Sequence, residues 1–468
     1  MERYYLAIDI GASSGRHMLG HIENGKMILE EIWRFENGMK DREGSLCWDL
    51  DALFEEIKTG MKRCKELGKI PVSMGIDTWA VDYVLLDEKD QVLGKNYGYR
   101  DGRTQGVDED VYKIISEEEL YSRTGIQKQS FNTIYQLMAV KKNNPEHLKA
   151  AKNFLMLPDY FHFLLTGQKC SEYTNATSTQ LINAQTNDWD RELIERLGYP
   201  QEMFLPLSQP GTLVGSFTKE IEEEVGFSCE VVLPATHDTG SAVMAVPGEG
   251  DKNLYISSGT WSLMGIENKT AICTEESRKR NFTNEGGYEY RYRYLKNIMG
   301  LWMIQSVRKE LENKYSFAEL CAMASRRSDF PSRVDVNDPV FLAPDSMIRA
   351  IREMCAKTGH PVPETPDELA AVVYESLSDS YRETAEEIEG LTGSHYNTIC
   401  IVGGGSNAEY LNRLTAKKSG RRVLAGPGEA TAIGNLMAQM IQKGEFDTLE
   451  QARRCVGTSF SIHEYMPE

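Results

Sequence analysis

Several clusters of acids, hydroxyls and glycines in this sequence carry the residue types that phosphoryl transfer requires. The first, Asp9-Ile10-Gly11-Ala12-Ser13-Ser14-Gly15-Arg16, sets a carboxylate at the end of an apolar run and follows it with small residues, hydroxyls and an arginine. Backbone N–H groups in such a turn form a concave nest for phosphate oxygens, while Asp9 can hold a magnesium ion through water. A plain Gly/Ser hairpin is the alternative. About halfway along, Ile256-Ser257-Ser258-Gly259-Thr260-Trp261-Ser262 repeats the layout, and two such turns suggest a nucleotide held in a cleft. A further acid, Asp238, follows the apolar run Val231-Val232-Leu233 within Thr236-His237-Asp238-Thr239-Gly240. A carboxylate at a strand end, before a small-residue helix start, is placed to accept a proton from a hydroxyl. Capping of that helix by Asp238 is compatible with catalysis.

Other patterns point elsewhere and can be weighed on their chemistry. Asp238-Thr239-Gly240 matches the aspartic-protease signature, but that reaction needs two carboxylates sharing a proton, and the other Asp-Thr pair, Asp77-Thr78, continues into Trp79. Gly20 to Lys26 mimics a Walker A loop, yet Met27 stands where magnesium needs a hydroxyl, and the glycine falls in a hairpin. Gly403-Gly404-Gly405-Ser406-Asn407-Ala408 mimics a dinucleotide fingerprint, but the next strand ends Val423-Leu424-Ala425-Gly426 without the expected acid. Its glycines either let backbone approach an adenine or its phosphates, or serve helix–strand packing. In Gly75 to Tyr83, Trp79 and Tyr83 with Asp77 and Asp82 suit a sugar's apolar face and hydroxyls, or are core residues. Asn284-Glu285-Gly286-Gly287 and Leu295 to Trp302 supply further polar groups.

The elements that must position these residues are legible in outline. Tyr5 to Ile10, His17 to Glu23 and Lys26 to Phe35 read as three strands, the last two joined at Asn24-Gly25. Apolar residues at Leu50, Leu53, Phe54, Ile57, Met61 and Leu67 give a helical period with Asp49 as its cap, and a strand ending at Ile76-Asp77 follows. Antiparallel strands, a helix and a further strand open an actin-like, RNase H-type lobe rather than a Rossmann unit. Together with the repeat, this predicts an α/β protein of two such lobes with an interdomain cleft, residues 1–246 and 247–468, divided within Val246 to Asp251. Thr365-Pro366-Asp367-Glu368 predicts a long helix through Ile388 that leads to a strand at Thr398 to Val402.

Composition narrows the class. The chain has 468 residues, with 52 Lys plus Arg against 70 Asp plus Glu, a balance of −18. That excess of acid argues against sequence-independent nucleic-acid binding. No apolar stretch is long enough for a bilayer, and no signal-peptide pattern opens the chain, so a cytoplasmic protein is expected. Its nine cysteines are scattered without C-x-x-C spacing, which predicts buried thiols rather than disulfides or zinc.

Taken together, the motifs resemble the FGGY carbohydrate kinases over essentially the whole chain. Asp9 to Arg16, Gly75 to Trp79, His237 to Thr239, Ser257 to Gly265, Asn284 to Gly287, Leu295 to Trp302 and Val402 to Gly405 stand in family order. The resemblance implies a kinase that uses ATP and Mg2+ to phosphorylate the 1-hydroxyl of a ketose, L-rhamnulose, with L-fuculose or xylulose as alternatives. It implies Asp238 as proton acceptor, with Ala80, His237, Thr239 and Asn297 at the sugar. Ala12, Ser13, Ser14, Gly15, Arg16, Thr260, Gln305 and Gly404 would line the ATP site, and Asp9 is added for the metal on the argument above. Ala80 departs from the glycine that the family has at a sugar contact, and its methyl narrows the pocket. An actin-like ATPase without a sugar substrate is the reading from a different class, but it has no use for His237-Asp238. A monomer or small homo-oligomer with no nucleic-acid or membrane partner completes the expectation.

Overall fold

The continuous apolar run that begins the chain becomes the centre of a sheet. In the computed structural model, which describes residues 2–248 and 253–467, β1 (Tyr4–Ile10) is buried on both faces from Tyr5 onward. β2 (Ser14–Glu23) and β3 (Lys26–Glu36) follow as antiparallel neighbours. The β2–β3 turn places Asn24 at φ 51° and Gly25 at φ 75°, the left-handed pair that a tight hairpin demands. The Walker look-alike is therefore this turn. α1 (Leu50–Glu66) is capped by Asp49, whose side chain accepts from Ala52 N, and it covers one sheet face with Leu53, Ile57 and Met61. β4 (Pro71–Thr78) then runs parallel to β1, with Asp9 opposite Asp77. β5 (Leu213–Ser216) and β6 (Glu230–Val232) extend the sheet beyond β4 in the order β5-β6-β4-β1-β2-β3, and α2 (Asp238–Met244) follows.

Between β4 and β5 lies a largely helical segment with an apolar core of its own, formed by residues such as Tyr135, Phe154, Trp189 and Leu193. The sequence reading gave no account of it.

The same plan recurs in β7 (Leu254–Ser258) and β8 (Ser262–Asn268), an antiparallel pair. α3 (Trp302–Glu310) and α4 (Pro366–Thr392) lead to β9 (Thr398–Val402), which runs parallel to β7. Pro366 opens α4, and Glu368 accepts from Thr365 N as the capping pattern predicted. After α5 (Glu409–Ser419), β10 (Arg422–Ala425) lies parallel to β9. α6 (Ala430–Gln442), α7 (Leu449–Ser459) and β11 (His463–Tyr465) complete the chain. Within the seven-stranded second sheet these strands run β8-β7-β9-β10-β11, and the strands Tyr292–Ile298 and Thr283–Gly286 continue it beyond β8. A strand with an antiparallel neighbour on one side and a parallel one on the other is thus central in both sheets. This is the duplicated α/β architecture that the repeat predicted.

The compact units do not follow a single cut. One comprises Met1–Ala245, Asn268–Tyr294 and Thr431–Ser459; the other comprises Val246–Glu267, Leu295–Ala430 and Phe460–Glu468. Part of the proposed divide, residues 249–251, lies outside the described residues. α6 belongs to the first unit chemically as well. Gln439 donates to Leu6 O at 2.9 Å and accepts from Ser73 Oγ at 2.8 Å, while Asn435 donates to Gly75 O at 3.1 Å. A methyl on Gly434 would meet Ser241 O at 1.7 Å, so this helix crosses α2 where only glycine fits. All nine cysteines are free, seven of them buried, with Cys170 and Cys273 half-buried. Among the described residues no helix is long and apolar enough to cross a membrane.

Candidate active site

In the first unit, strand ends gather the acids. Asp9 at the end of β1 faces Asp77 on β4, and Thr78 N donates to Thr236 O at 2.9 Å, which ties the β4 end to the segment carrying His237 and Asp238. Asp238 is the first residue of α2 and its Oδ1 accepts from Thr239 N at 2.6 Å. Burial, and next the charge of Asp9, push its carboxyl up to about 7, where a general base at neutral pH is best poised. Asp77 is held well above the usual carboxylate range, first by burial and then by the charge of Asp9. Its Oδ2 accepts from Asn435 Nδ2 at 2.6 Å and its Oδ1 has no partner.

The turn Gly11 to Ser13 is closed by Gly11 N donating to Ser14 O at 2.9 Å and is buttressed by Asn37, which donates to Gly11 O at 2.9 Å. Arg16, opposite Asp9 on β2, donates from Nε at 3.0 Å and from a terminal nitrogen at 2.8 Å to Asp9 Oδ2. Gly15 sits under Phe35, whose ring lies 2.1 to 2.7 Å from where a Cβ would be; close packing alone accounts for the glycine. Asp9 keeps Oδ1 clear of Arg16, and Asp77 Oδ1 is an orphaned buried oxygen. Those two atoms fit an ion that takes one or two carboxylates and fills its remaining positions with water and phosphate. Among the described residues no group of three or more metal-ligating side chains is present.

Next to β4, Ala80 is half-buried, while its neighbours Trp79 and Asp82 are core. Asp82 Oδ2 accepts from Trp48 Nε1 at 2.6 Å, Trp79 Nε1 at 2.9 Å and Tyr99 N at 3.1 Å, and Oδ1 accepts from Gln136 at 3.1 Å. A carboxylate so engaged has little capacity left for a ligand, so packing is the role the structure gives Asp82 and Trp79. Val81 between them adopts φ 67°, an unfavourable state for a β-branched residue. It is held there by Ser178, which accepts from Val81 N, and by Thr133 and Gln136, which donate to Val81 O. The loop bearing Ala80 is therefore over-determined, a common property of ligand clamps.

His237 and Thr239 are joined in a network that sequence reasoning missed. Thr239 Oγ1 lies 2.9 Å from His237 Nε2 and accepts from Arg293 at 2.8 Å. Arg293 also donates to Gly286 O at 3.0 Å, contacts His237 Nδ1 at 3.0 Å and pairs with Glu285 at 3.1 Å. Burial, then the Arg293 charge, hold the His237 pKa well below its usual value, so the ring is neutral. Behind it, Glu172 accepts from Thr236 N at 3.1 Å and Thr236 Oγ1 at 2.7 Å, anchoring the chain just before His237. Arg293 stands in the alternating run Tyr290-Arg291-Tyr292-Arg293-Tyr294, a pattern that does not set it apart from Arg291. For Glu172 no local pattern distinguishes it from a surface acid.

The second unit gathers a different set. Gly259 N donates to Trp261 O at 2.8 Å, and the start of α3 docks on this turn, with Leu301 N donating to Gly259 O and Trp302 N to Thr260 O. Gly300, at φ 61°, lies so close that a Cβ would fall 2.5 Å from Ser262 N. Thr260 and Gln305 of α3 are thereby brought to the same end of β7. Gly403 and Gly405 press on Ser258, where their Cβ atoms would come within 2.8 Å and 1.9 Å, whereas nothing lies within 4 Å at Gly404. Packing explains the outer glycines, and Gly404 alone is open. Beside it is a cavity of about 1080 Å3 lined by Ser406, Asn407 and Tyr410 among others. Asn297 also belongs to this unit, half-buried, its Oδ1 without a partner. Ala80, His237, Asp238 and Thr239 belong to the first unit.

A base poised near neutrality on one duplicated fold and an open glycine turn on the other are the parts of a phosphotransferase. The profile of the FGGY family of carbohydrate kinases matches with its N-terminal domain at residues 4–245 and its C-terminal domain at 254–442. The chain belongs to that family. Curated relatives include a rhamnulokinase of Halalkalibacterium halodurans, 54% identical with 99% of this chain and 98% of the relative covered. One of Oceanobacillus iheyensis is 50% identical over the same shares. Among solved structures, gluconate kinase from Lactobacillus acidophilus superposes with a TM-score of 0.80 at 16% identity, covering 100% of this chain and 94% of that one, a likeness of fold.

Proposed function

We propose that this protein transfers the γ-phosphate of ATP to the 1-hydroxyl of L-rhamnulose, giving L-rhamnulose 1-phosphate and ADP. The observation that carries the reading is Asp238, a carboxylate raised to about 7 at the start of α2, beside a neutral His237 and a threonine hydroxyl. Asp238 accepts the hydroxyl proton as the oxygen attacks phosphorus. His237, Thr239, Ala80 and Asn297 orient the sugar. Ala12 to Arg16, Thr260, Gln305 and Gly404 hold the nucleotide, the last through a backbone open to approach. Asp9, with Asp77 behind it, would hold Mg2+, which when bound neutralises charge on the phosphates. In this reading residues 1–246 carry the base and most of the sugar contacts and residues 247–468 most of the nucleotide contacts, with Asn297 and Ala12 to Arg16 as the exceptions. The protein works in the cytoplasm as a monomer or small homo-oligomer, without nucleic-acid or membrane partners.

The test is ADP release across L-rhamnulose, L-fuculose and xylulose with Mg·ATP. The proposal expects the highest kcat/KM on L-rhamnulose. Equal or greater efficiency on another ketose refutes the substrate, and rapid ATP turnover without any sugar refutes the class.

A further inference from the structure

We propose that Arg293 is a positioning residue that fixes the hydrogen-bond polarity of His237 and Thr239, leaving the Thr239 hydroxyl as an outward donor to a substrate oxygen. The use of that donor rests on the sugar-kinase reading; the polarity itself does not.

A guanidinium has five N–H groups and no acceptor. The Arg293 nitrogen 3.0 Å from His237 Nδ1 must therefore meet a lone pair, which places the ring proton on Nε2. Nε2 then donates to Thr239 Oγ1 at 2.9 Å, and the same oxygen accepts a second proton from Arg293 at 2.8 Å. With both acceptor positions of the hydroxyl filled, its own hydrogen has nowhere to go but out. Thr239 is half-buried and follows the acceptor carboxylate of Asp238 in the chain. Donor and acceptor side by side read a sugar by the polarity of its oxygens. Thr239 suits a carbonyl, ring or hydroxyl oxygen that accepts, while Asp238 suits the hydroxyl that gives up its proton.

Glu285 makes the outcome a contest. Its Oε2 lies 3.4 Å from His237 Nδ1 and 3.1 Å from Arg293. Had the carboxylate instead accepted a hydrogen bond from a protonated Nδ1, the tautomer would be reversed, Nε2 would accept from Thr239, and no outward donor would remain. The shorter contact belongs to Arg293. Arg293 is completely buried and its Nε is pinned on Gly286 O, so the fork cannot swing away. The ion pair with Glu285 thus holds Arg293 in place and stops the carboxylate from claiming the histidine.

The experiment is long-range 1H–15N correlation on the full-length chain with labelled histidine, His237 being assigned by its loss in H237Q. The proposal expects Nε2–H with unprotonated Nδ1 between pH 6 and 9. An Nδ1–H signal in the wild type overturns it in favour of Glu285. In R293M/E285Q, which removes both buried charges together, the tautomers should mix. KM for the ketose should rise about tenfold or more, a lost charge-assisted bond, with KM for ATP within about twofold. R293K, which keeps the charge but not the fork, should restore little. Wild-type sugar KM in R293M/E285Q overturns the positioning role. If that variant does not fold, the wild-type tautomer still decides. Failure of every ketose as substrate would sink the sugar-kinase reading while leaving the tautomer measurement intact.

Discussion

Replacing Asp238 by asparagine should abolish turnover and, in the unliganded protein, raise stability in a pH-dependent way. An ordinary aspartate near 3.8 is pushed to about 7 in the folded chain. Between those values the unfolded state has released its proton and the folded state has not, so stability falls as pH rises from about 4 to 7. Above pH 7 the penalty is complete; below about 4 it is absent. About three units at 1.36 kcal/mol each set an upper bound near 4 kcal/mol. The side chain is 28% exposed, and solvent at that edge reduces the figure to about 1–3 kcal/mol. Asparagine preserves the shape and can still accept from Thr239 N, so the gain should appear in urea unfolding at pH 8 and vanish at pH 4. Both measurements must exclude nucleotide and sugar, whose binding would shift the midpoint. Turnover should fall about 10²- to 10⁴-fold with ATP affinity retained. Equal stability of the two proteins at pH 8, or a gain no larger there than at pH 4, would refute the claim that Asp238 is buried at a cost. Near-wild-type turnover would remove it from the mechanism.

Three other expectations can be checked directly. The acid limb of kcat/KM for the sugar should bend at an apparent pKa near 7 and fall about tenfold per pH unit below it, since only ionised Asp238 takes the proton; a flat profile from pH 5.5 to 7 would contradict this. Ala80→Gly should leave L-rhamnulose turnover similar or better and admit bulkier ketoses, because one methyl changes discrimination by ~1–3 kcal/mol. Unchanged kcat/KM ratios would show that Ala80 does not face the sugar. Glu172→Gln sets amide hydrogens against the Thr236 and Thr174 donors, so a loss of about 2–4 kcal/mol in denaturant melts is expected, with lower kcat. A wild-type melt would mean Glu172 does not anchor the loop.

What the sequence disclosed and what it withheld divide along a physical line. Asn24-Gly25, Asp49 and Thr365-Pro366 act within one turn of chain, so their elements could be read from neighbours alone. Asp9 and Asp238 were legible because a carboxylate at the end of an apolar run has few structural reasons to be there. Arg293, Glu172 and Asn435 were not. Each does its positioning through a partner tens to hundreds of positions away: Arg293 meets His237 across 56 residues, Glu172 meets Thr236 across 64 and Asn435 meets Asp77 across 358. The Gly403 to Gly405 run was ambiguous for a related reason: whether a glycine serves packing or ligand depends on what stands opposite, here Ser258 for two of the three. Trp79 and Asp82 suit a sugar by residue type, but Trp48 packs on the Trp79 ring and Gln136 donates to Asp82, partners that lie far off in the chain.

The helix carrying Asn435 and Gln439 has a consequence for how the molecule is made. Leu6 O, Ser73 and Gly75 O lie in the opening sheet, yet Asn435 emerges from the ribosome 360 residues after the Gly75 it meets, and Gln439 emerges 366 residues after Ser73 and 433 after Leu6. Until then that face has buried polar atoms with nothing to bond, and Leu436 is not yet there to cover Gly20. Vectorial synthesis therefore delivers an N-terminal region that can adopt its strands early but cannot finish its interior. Chaperone dependence should fall late in translation, once α6 is released, and proteolytic loss of that helix should loosen the distant β1 and β4 rather than only the C-terminus.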